Sequence, residues 1–434
     1  MARVRVEPVP ALRGTVRVPP DKSLTHRALL LAAVSDRAVA IGRPLAAADT
    51  EATLGAVLAC GAGVEGDLGE RVTVAGQGLR GLRPPPALDC ANAGTLMRLL
   101  PGLLVGQAGD RIVLDGDDSL RRRPMSRIAG PLRAMGAAIW TAPGGTPPLV
   151  VSGGRALAGR EHVLEVASAQ VKSCLLLAGL FAEGETWVRE PVASRDHTER
   201  MLEASGVRMR RDGDAVGLAG PVASLALPDL SVPGDFSSAA FPLVAATLRA
   251  DGEVRLAGVN LNPRRTGLLA VLARMGASVA VEEGPPVAGE PAGDLVVRRA
   301  DRLQATEVAP EEVPGLIDEL PLVGLLGAFA AGVTEVRGAA ELRVKESDRI
   351  AAVVGGLRAL GASAEEREDG FRVTGSGRLA GGRLASRGDH RLAMLGAVAG
   401  LVSDEGVAVE GLEAADVSYP GFARDLAELG AVPR

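Results

Sequence analysis

Lysine is scarce in this chain. Of 48 basic residues only Lys22, Lys172 and Lys345 are lysine, and each stands among hydroxyls, acids or arginines. Lys22 lies in DKSLTHR with Ser23, His26 and Arg27, Lys172 in ASAQVKS with Ser168 and Gln170, and Lys345 in ELRVKESDR with Glu346, Asp348 and Arg349. Three of the four histidines, His26, His197 and His390, fall in segments of the same kind. Lysine neutralises an anion as a point charge and can give up a proton, whereas arginine grips carboxylate or phosphate through two parallel N–H groups. The chemistry these segments suit is anion binding joined to proton transfer.

In DKSLTHR, helical spacing puts Ser23 and Arg27 on one face and Lys22 and His26 on the next. DCANAGTLMR is a small-residue turn around Gly94 whose backbone N–H groups allow a ligand close approach. SLRRRPMSR concentrates four arginines. Arg121 and Arg122 read as a solvated face, and Arg123, just before a helix-starting proline, as an anion clamp. In ASAQVKS, Gln170 and Lys172 are poor choices for a buried helix without a ligand. SRDHTER sets Ser194 and Arg195 ahead of a helix start suited to phosphate, with Asp196 and Glu199 read as caps. GLIDELP places Asp318 and Glu319 at the head of an apolar run, where an acid needs a cationic partner or a raised pKa and becomes a general-base candidate. GDHRLAM brings His390 and Arg391 before another apolar helix.

The elements that must hold these residues repeat along the chain. An amphipathic helix ending in glycine and then a strand-like run recurs six times, with the glycine at positions 61, 136, 206, 276, 361 and 430. A second, far more apolar helix occurs once per unit, beginning near Ser23, Gly94, Ser168, Ser237, Asp318 and Asp389. A helix apolar all round belongs inside a layer of other elements. Its polar residues sit almost entirely at the N-terminus, so six positive helix ends form an anion site if they converge.

A longer repeat divides the chain in two. VPPDKS (Val18 to Ser23) reappears as VPGDFS (Val232 to Ser237), each running into a Leu/Ala helix. Two similar halves of three units follow, with the chain crossing between them near Pro20 and Gly234. Residues common to both copies serve the turn and helix cap. Lys22 is matched by Phe236 and Arg27 by Phe241, so the architecture does not require those charges.

Composition narrows the function classes. At 434 residues, 47% apolar and 23% charged, the chain is globular and too long for one ordinary core. A net charge of −5 argues against nucleic acid or an anionic membrane as partner. Cys60, Cys90 and Cys174 have neither zinc-site nor redox spacing. With no signal-like N-terminus and no apolar run of membrane-spanning length, a soluble cytoplasmic protein is expected.

Taken in order, DKSLTHR, NAGTLMR, RRRPM, SAQVKS, RDHTERM, PGDFSSAAF, RVKESDR and GDHR closely resemble the enolpyruvyl transferases, on their EPSP synthase branch, over essentially the whole chain. The resemblance implies an α/β fold of two similar domains, an inside-out α/β barrel in which each domain has three βαβαββ repeats around buried parallel helices. The domains would be residues 1–20 plus 230–434, and residues 21–229, with the active site in their cleft. It also implies a monomer that joins the small-molecule substrates shikimate 3-phosphate and phosphoenolpyruvate without metal or organic cofactor.

Carried onto matching positions, the resemblance puts Lys22, Ser23, Arg27, Ser168, Gln170, Ser194, Arg195, Asp318 and Lys345 on shikimate 3-phosphate. Lys22, Gly94, Arg123, Gln170, Arg349 and Arg391 would lie on phosphoenolpyruvate. Asp318 would act as base, and Lys22 or Glu346 as proton donor. The chain departs from the family at Pro20 and Ala91, where glycine is usual, and at Val417 and Ser418, where some members have a lysine. A sister branch acting on UDP-N-acetylglucosamine carries Lys-Asn in the first motif and a cysteine near position 115; this chain has Lys22-Ser23 and no cysteine there. A non-catalytic anion-binding protein would need the cations but not Asp318 or Glu346.

Overall fold

The structure, a computed structural model, describes residues 3–431. The chain divides into two compact units, Met1–Pro19 with Pro233–Pro285 and Pro291–Arg434, and Pro20–Val232 with Pro286–Glu290. The short Pro286–Glu290 piece departs from the two-segment division expected from sequence. It is tied by Glu290, whose Oε1 lies 2.8 Å from Nδ1 of buried His197.

Twelve α-helices occur among the described residues, of two alternating kinds. α1 (Lys22–Ala33), α3 (Gly94–Leu104), α5 (Ala169–Gly179), α7 (Phe236–Arg249), α9 (Leu320–Phe329) and α11 (His390–Val402) are the apolar set, buried over most of their length. α2 (Ala48–Ala59), α4 (Ser126–Ala134), α6 (His197–Ala204), α8 (Gly267–Arg274), α10 (Arg349–Ala359) and α12 (Phe422–Glu428) are amphipathic. All six of the amphipathic set stop the same way. The glycine after the cap has positive φ, between 82° and 101°, which relieves the Cβ clash other residues would suffer. The next N–H bonds five residues back, as in Ala62 to Val57 and Ala431 to Leu426.

Each buried helix sits beneath a sheet with one parallel pair followed by antiparallel neighbours. The Pro20–Val232 unit has three such sheets, one ordered Ala87–Asp89, Ile112–Asp115, Leu149–Ser152, Ala138–Trp140. In chain order its strands and α3 and α4 spell βαβαββ. The other unit repeats the pattern twice in full and once with three strands, Gly382–Ala385, Val407–Glu410 and Arg3–Val6. Strand alternation sends one face inward, as where Val39 and Ile41 pair with Val74 and Val72 and all four are fully buried. Each unit has its own apolar core, and each buried leucine, such as Leu96, Leu99 and Leu103 of α3, adds roughly 2 kcal/mol.

The turns before α1 and α7 match as the internal repeat requires. Asp21 caps α1 by accepting from the Leu24 N–H, and Asp235 caps α7 by accepting from those of Ser237 and Ser238. Beyond the caps the copies diverge: Phe241 is packed in the core of its unit, and Arg27 is buried in the other. Among the described residues no helix is long and apolar enough to cross a membrane.

Candidate active site

In the Pro20–Val232 unit the polar ends of α1, α3, α5 and α6 are tied to one another. Lys22 donates from Nζ to Asp49 Oδ2 at 2.9 Å, and one turn on His26 Nδ1 meets Thr53 Oγ1 at 2.6 Å. Lys22 and His26 therefore face α2 together. Burial, with Lys22 and Arg27 nearby, holds the His26 pKa well below its ordinary value, so the ring is neutral. Arg27 turns the other way, donating to Thr198 Oγ1 at 2.8 Å, Ser173 Oγ at 3.0 Å and the Ser23 carbonyl at 3.0 Å. These contacts occupy three of its five N–H groups, all with neutral oxygens. Burial pulls its pKa down to about 10 despite Glu199, Asp21 and Glu290.

Gly94 opens α3 under two guanidinium groups. A Cβ there would stand 2.7 Å from Arg123 NH1 and 2.8 Å from Arg98 NH1, so only glycine leaves both side chains in place. Arg123 is steered by Asn92, whose Oδ1 accepts from its NH2 at 2.9 Å. Burial, with Arg123 and Arg127 close by, brings Arg98 down to about 10. Two guanidinium groups at one helix N-terminus make a place for an anion. Gln170 on α5 reaches the same turn, its Nε2 donating to Thr95 Oγ1 at 3.2 Å. Ser168 caps α5 and Ser194 precedes α6; both bond Glu190, and half-buried Arg195 follows.

The other unit gathers an acid–arginine cluster where α9, α10 and α11 begin. Buried Arg349 donates from Nε to Asp389 Oδ2 at 2.8 Å and from NH2 to Glu346 Oε2 at 2.5 Å, with NH1 3.5 Å from Asp318 Oδ1. Arg391 lies 3.5 Å from the other Asp318 oxygen and donates to the Asp318 carbonyl at 3.2 Å. Asp318 is thus flanked by two guanidinium groups. Burial favours the neutral form of Glu346, but Arg349 outweighs it and holds that carboxyl below the ordinary range. Burial, with Arg391 and Arg349 adjacent, pushes His390 down to about 3, so it contributes no positive charge.

Of the residues singled out from sequence, Asp318, Glu346, Arg349 and Arg391 come together here. Lys22, Ser23, Arg27, Gly94, Arg123, Ser168, Gln170, Ser194 and Arg195 lie at the helix ends of the other unit. Lys345 is exposed on the turn before α10 and makes no ion pair among the described residues. Three readings need correction. Glu199 is not a cap: it is buried, 2.8 Å from Lys172 Nζ, because an ammonium inside an apolar helix requires a counter-charge. Lys172 takes that charge from the protein itself, from Glu190 as well as Glu199. Pro124 does not start α4, which begins at Ser126.

Sequence reasoning also passed over Asp49 and Arg98. Both carry a usable signal: Asp49 and Thr53 have the same four-residue spacing as Lys22 and His26, and Arg98 stands one helical turn past Gly94.

The model of the family EPSP synthase (3-phosphoshikimate 1-carboxyvinyltransferase) matches residues 6–426. A 3-phosphoshikimate 1-carboxyvinyltransferase of Halorhodospira halophila is 49% identical over 427 residues, covering 98% of this chain and 96% of that protein. One from Gloeobacter violaceus is 48% identical over 426 residues, 98% of each. The EPSP synthase of Acinetobacter baumannii superposes with a TM-score of 0.92 at 40% identity, over 100% of this chain and 99% of that one. The enolpyruvyl transferase NikO of Streptomyces tendae, 20% identical, shares the fold with a TM-score of 0.79 over 100% and 98% of the chains. Close to half of all positions are shared with these curated relatives from end to end, and on that ground the chain belongs to the EPSP synthase family.

Proposed function

We propose that the protein transfers the enolpyruvyl group of phosphoenolpyruvate to the 5-hydroxyl of shikimate 3-phosphate, releasing inorganic phosphate. The observation that carries this reading is Asp318, 3.5 Å from both Arg349 and Arg391. A carboxylate there can take a proton from a hydroxyl placed against it, while the two arginines hold an anion beside it.

In this reading Lys22, Ser23, Arg27, Ser168, Gln170, Ser194, Arg195, Asp318 and Lys345 take shikimate 3-phosphate. Phosphoenolpyruvate takes Lys22, Gly94, Arg123, Gln170, Arg349 and Arg391. Each substrate brings a carboxylate and a phosphate, and this cationic density offsets their mutual repulsion. Asp318 removes the proton of the attacking hydroxyl. The methylene carbon of phosphoenolpyruvate gains a proton and becomes a methyl group, and the tetrahedral intermediate then loses phosphate together with one proton of that methyl, which restores the carbon–carbon double bond in the product. Glu346 starts ionised beside Arg349, which favours the Lys22 ammonium as the donor to the methylene carbon.

The test is phosphate release from phosphoenolpyruvate with shikimate 3-phosphate, with UDP-N-acetylglucosamine, and with neither. Release that depends on shikimate 3-phosphate supports the reading, and release with neither acceptor, or none at all, removes it.

A further inference from the structure

Glu190 is 3% exposed and follows the strand Gly184–Arg189. Its carboxylate meets four donors. Oε1 accepts from the Ser168 N–H at 3.0 Å and the Ser194 hydroxyl at 2.6 Å. Oε2 accepts from the Ser194 N–H at 3.2 Å and lies 2.7 Å from Lys172 Nζ. Lys172 in turn donates to the Ser194 carbonyl at 3.3 Å and pairs with Glu199 on α6. An ionised carboxylate has two oxygens and about four acceptor directions, and here the protein fills all four. None is left for a ligand, so Glu190 cannot touch substrate. The two serines it holds are the cap of α5 and the residue before Arg195, which sequence separates by 26 positions.

We infer that Glu190, with Lys172 as its counter-ion, is a positioning residue that locks the Ser168 and Ser194 turns into one phosphate-receiving surface. This rests on the reading above, in which both serines take shikimate 3-phosphate; the Ser194 N–H and hydroxyl are both given to Glu190, so the phosphate meets the Ser168 hydroxyl and Arg195 that the two turns present. The number of donors explains why a carboxylate is needed. An amide offers one acceptor oxygen and must aim its NH2 at a donor, so Glu190→Gln frees one turn from the other without changing side-chain volume. The Lys172 ammonium supplies the charge that makes burial of this carboxylate tolerable.

The experiment compares wild type, Glu190→Gln and Glu190→Asp by steady-state kinetics and by titration with inorganic phosphate. Loss of one charged hydrogen-bond set raises the KM for shikimate 3-phosphate about tenfold in Glu190→Gln, while the KM for phosphoenolpyruvate stays within about twofold. Preference for shikimate 3-phosphate over shikimate falls by a similar factor. Glu190→Asp keeps the charge and lies between the two, and it stands in for Glu190→Gln if that variant does not fold. A purely structural role predicts a different pattern, with both KM values and kcat worsening together, and that result overturns the inference. Inorganic phosphate gives an arm independent of the acceptor's identity. Weaker phosphate binding in the variant supports the positioning role even if wild type shows no turnover with shikimate 3-phosphate, which would defeat the functional reading alone. Equal phosphate binding in wild type and variant overturns the role.

Discussion

Arg349 grips Asp389 through two nitrogens, Nε at 2.8 Å and NH2 at 3.3 Å, with both side chains buried. The same guanidinium reaches Glu346 and Asp318. A lysine ammonium has no planar fork and cannot hold these three acids in one geometry. Arg349→Lys is expected to lower kcat/KM for phosphoenolpyruvate by at least about 100-fold while the protein stays folded, an effect equivalent to about 3 kcal/mol. Activity within tenfold of wild type would show that the fork is dispensable.

Asp318→Asn keeps the shape of the proposed base and removes its capacity to accept a proton. Turnover should fall by about 10² to 10⁴, the usual range for a general base, with calorimetric binding of shikimate 3-phosphate retained. Near-normal turnover would remove Asp318 from the chemistry.

At Gly94 a single methyl would press on Arg98 and Arg123. Both can swing aside, so Gly94→Ala should fold normally and raise the KM for phosphoenolpyruvate about tenfold, with the KM for shikimate 3-phosphate little changed, as expected when one charged contact is displaced. An effect confined to shikimate 3-phosphate would contradict the placement of Gly94 on phosphoenolpyruvate.

Arg27 occupies the position that Phe241 fills in the other half. Arg27→Phe should therefore preserve the fold, shifting Tm by only a few degrees, since Ser173 and Thr198 still bond each other at 2.7 Å. Affinity for shikimate 3-phosphate should drop by about 100-fold or more through loss of a buried cation. Retained affinity would mean that Arg27 is structural.

His390 titrates at about 3 in the folded protein and at about 6.5 when unfolded. Between those values the unfolded chain binds a proton that the native state refuses, so stability is intact above pH 6.5 and declines as pH falls toward 3. The decline attributable to His390 from pH 7 to pH 5 is about 2 kcal/mol. Urea unfolding of wild type and His390→Gln at both pH values measures it, and an unchanged pH dependence in the variant would place the loss elsewhere.

The fold was legible wherever local physics sets the outcome. Six helix-ending glycines and six apolar helices fixed the number of units, and the Asp21 and Asp235 turns exposed the duplication. The catalytic candidates were legible as types in unusual company. What stayed hidden were partners distant in sequence. Glu190 and Glu199 look like ordinary surface acids until Lys172 is seen between them, and nothing local distinguishes a capping glutamate from a buried one. Ala91 is another such case: it has φ 46°, left-handed backbone that a glycine would enter without strain, in the turn leading to Gly94.

The buried helices carry nearly all their polar chemistry in the first turns and aliphatic side chains beyond. That gradient splits mutational risk along each helix axis. Changes toward the C-terminal ends act on melting temperature, whereas changes in the opening turns act on the proposed substrate contacts and, at the caps and the buried Lys172 ion pairs, on stability as well.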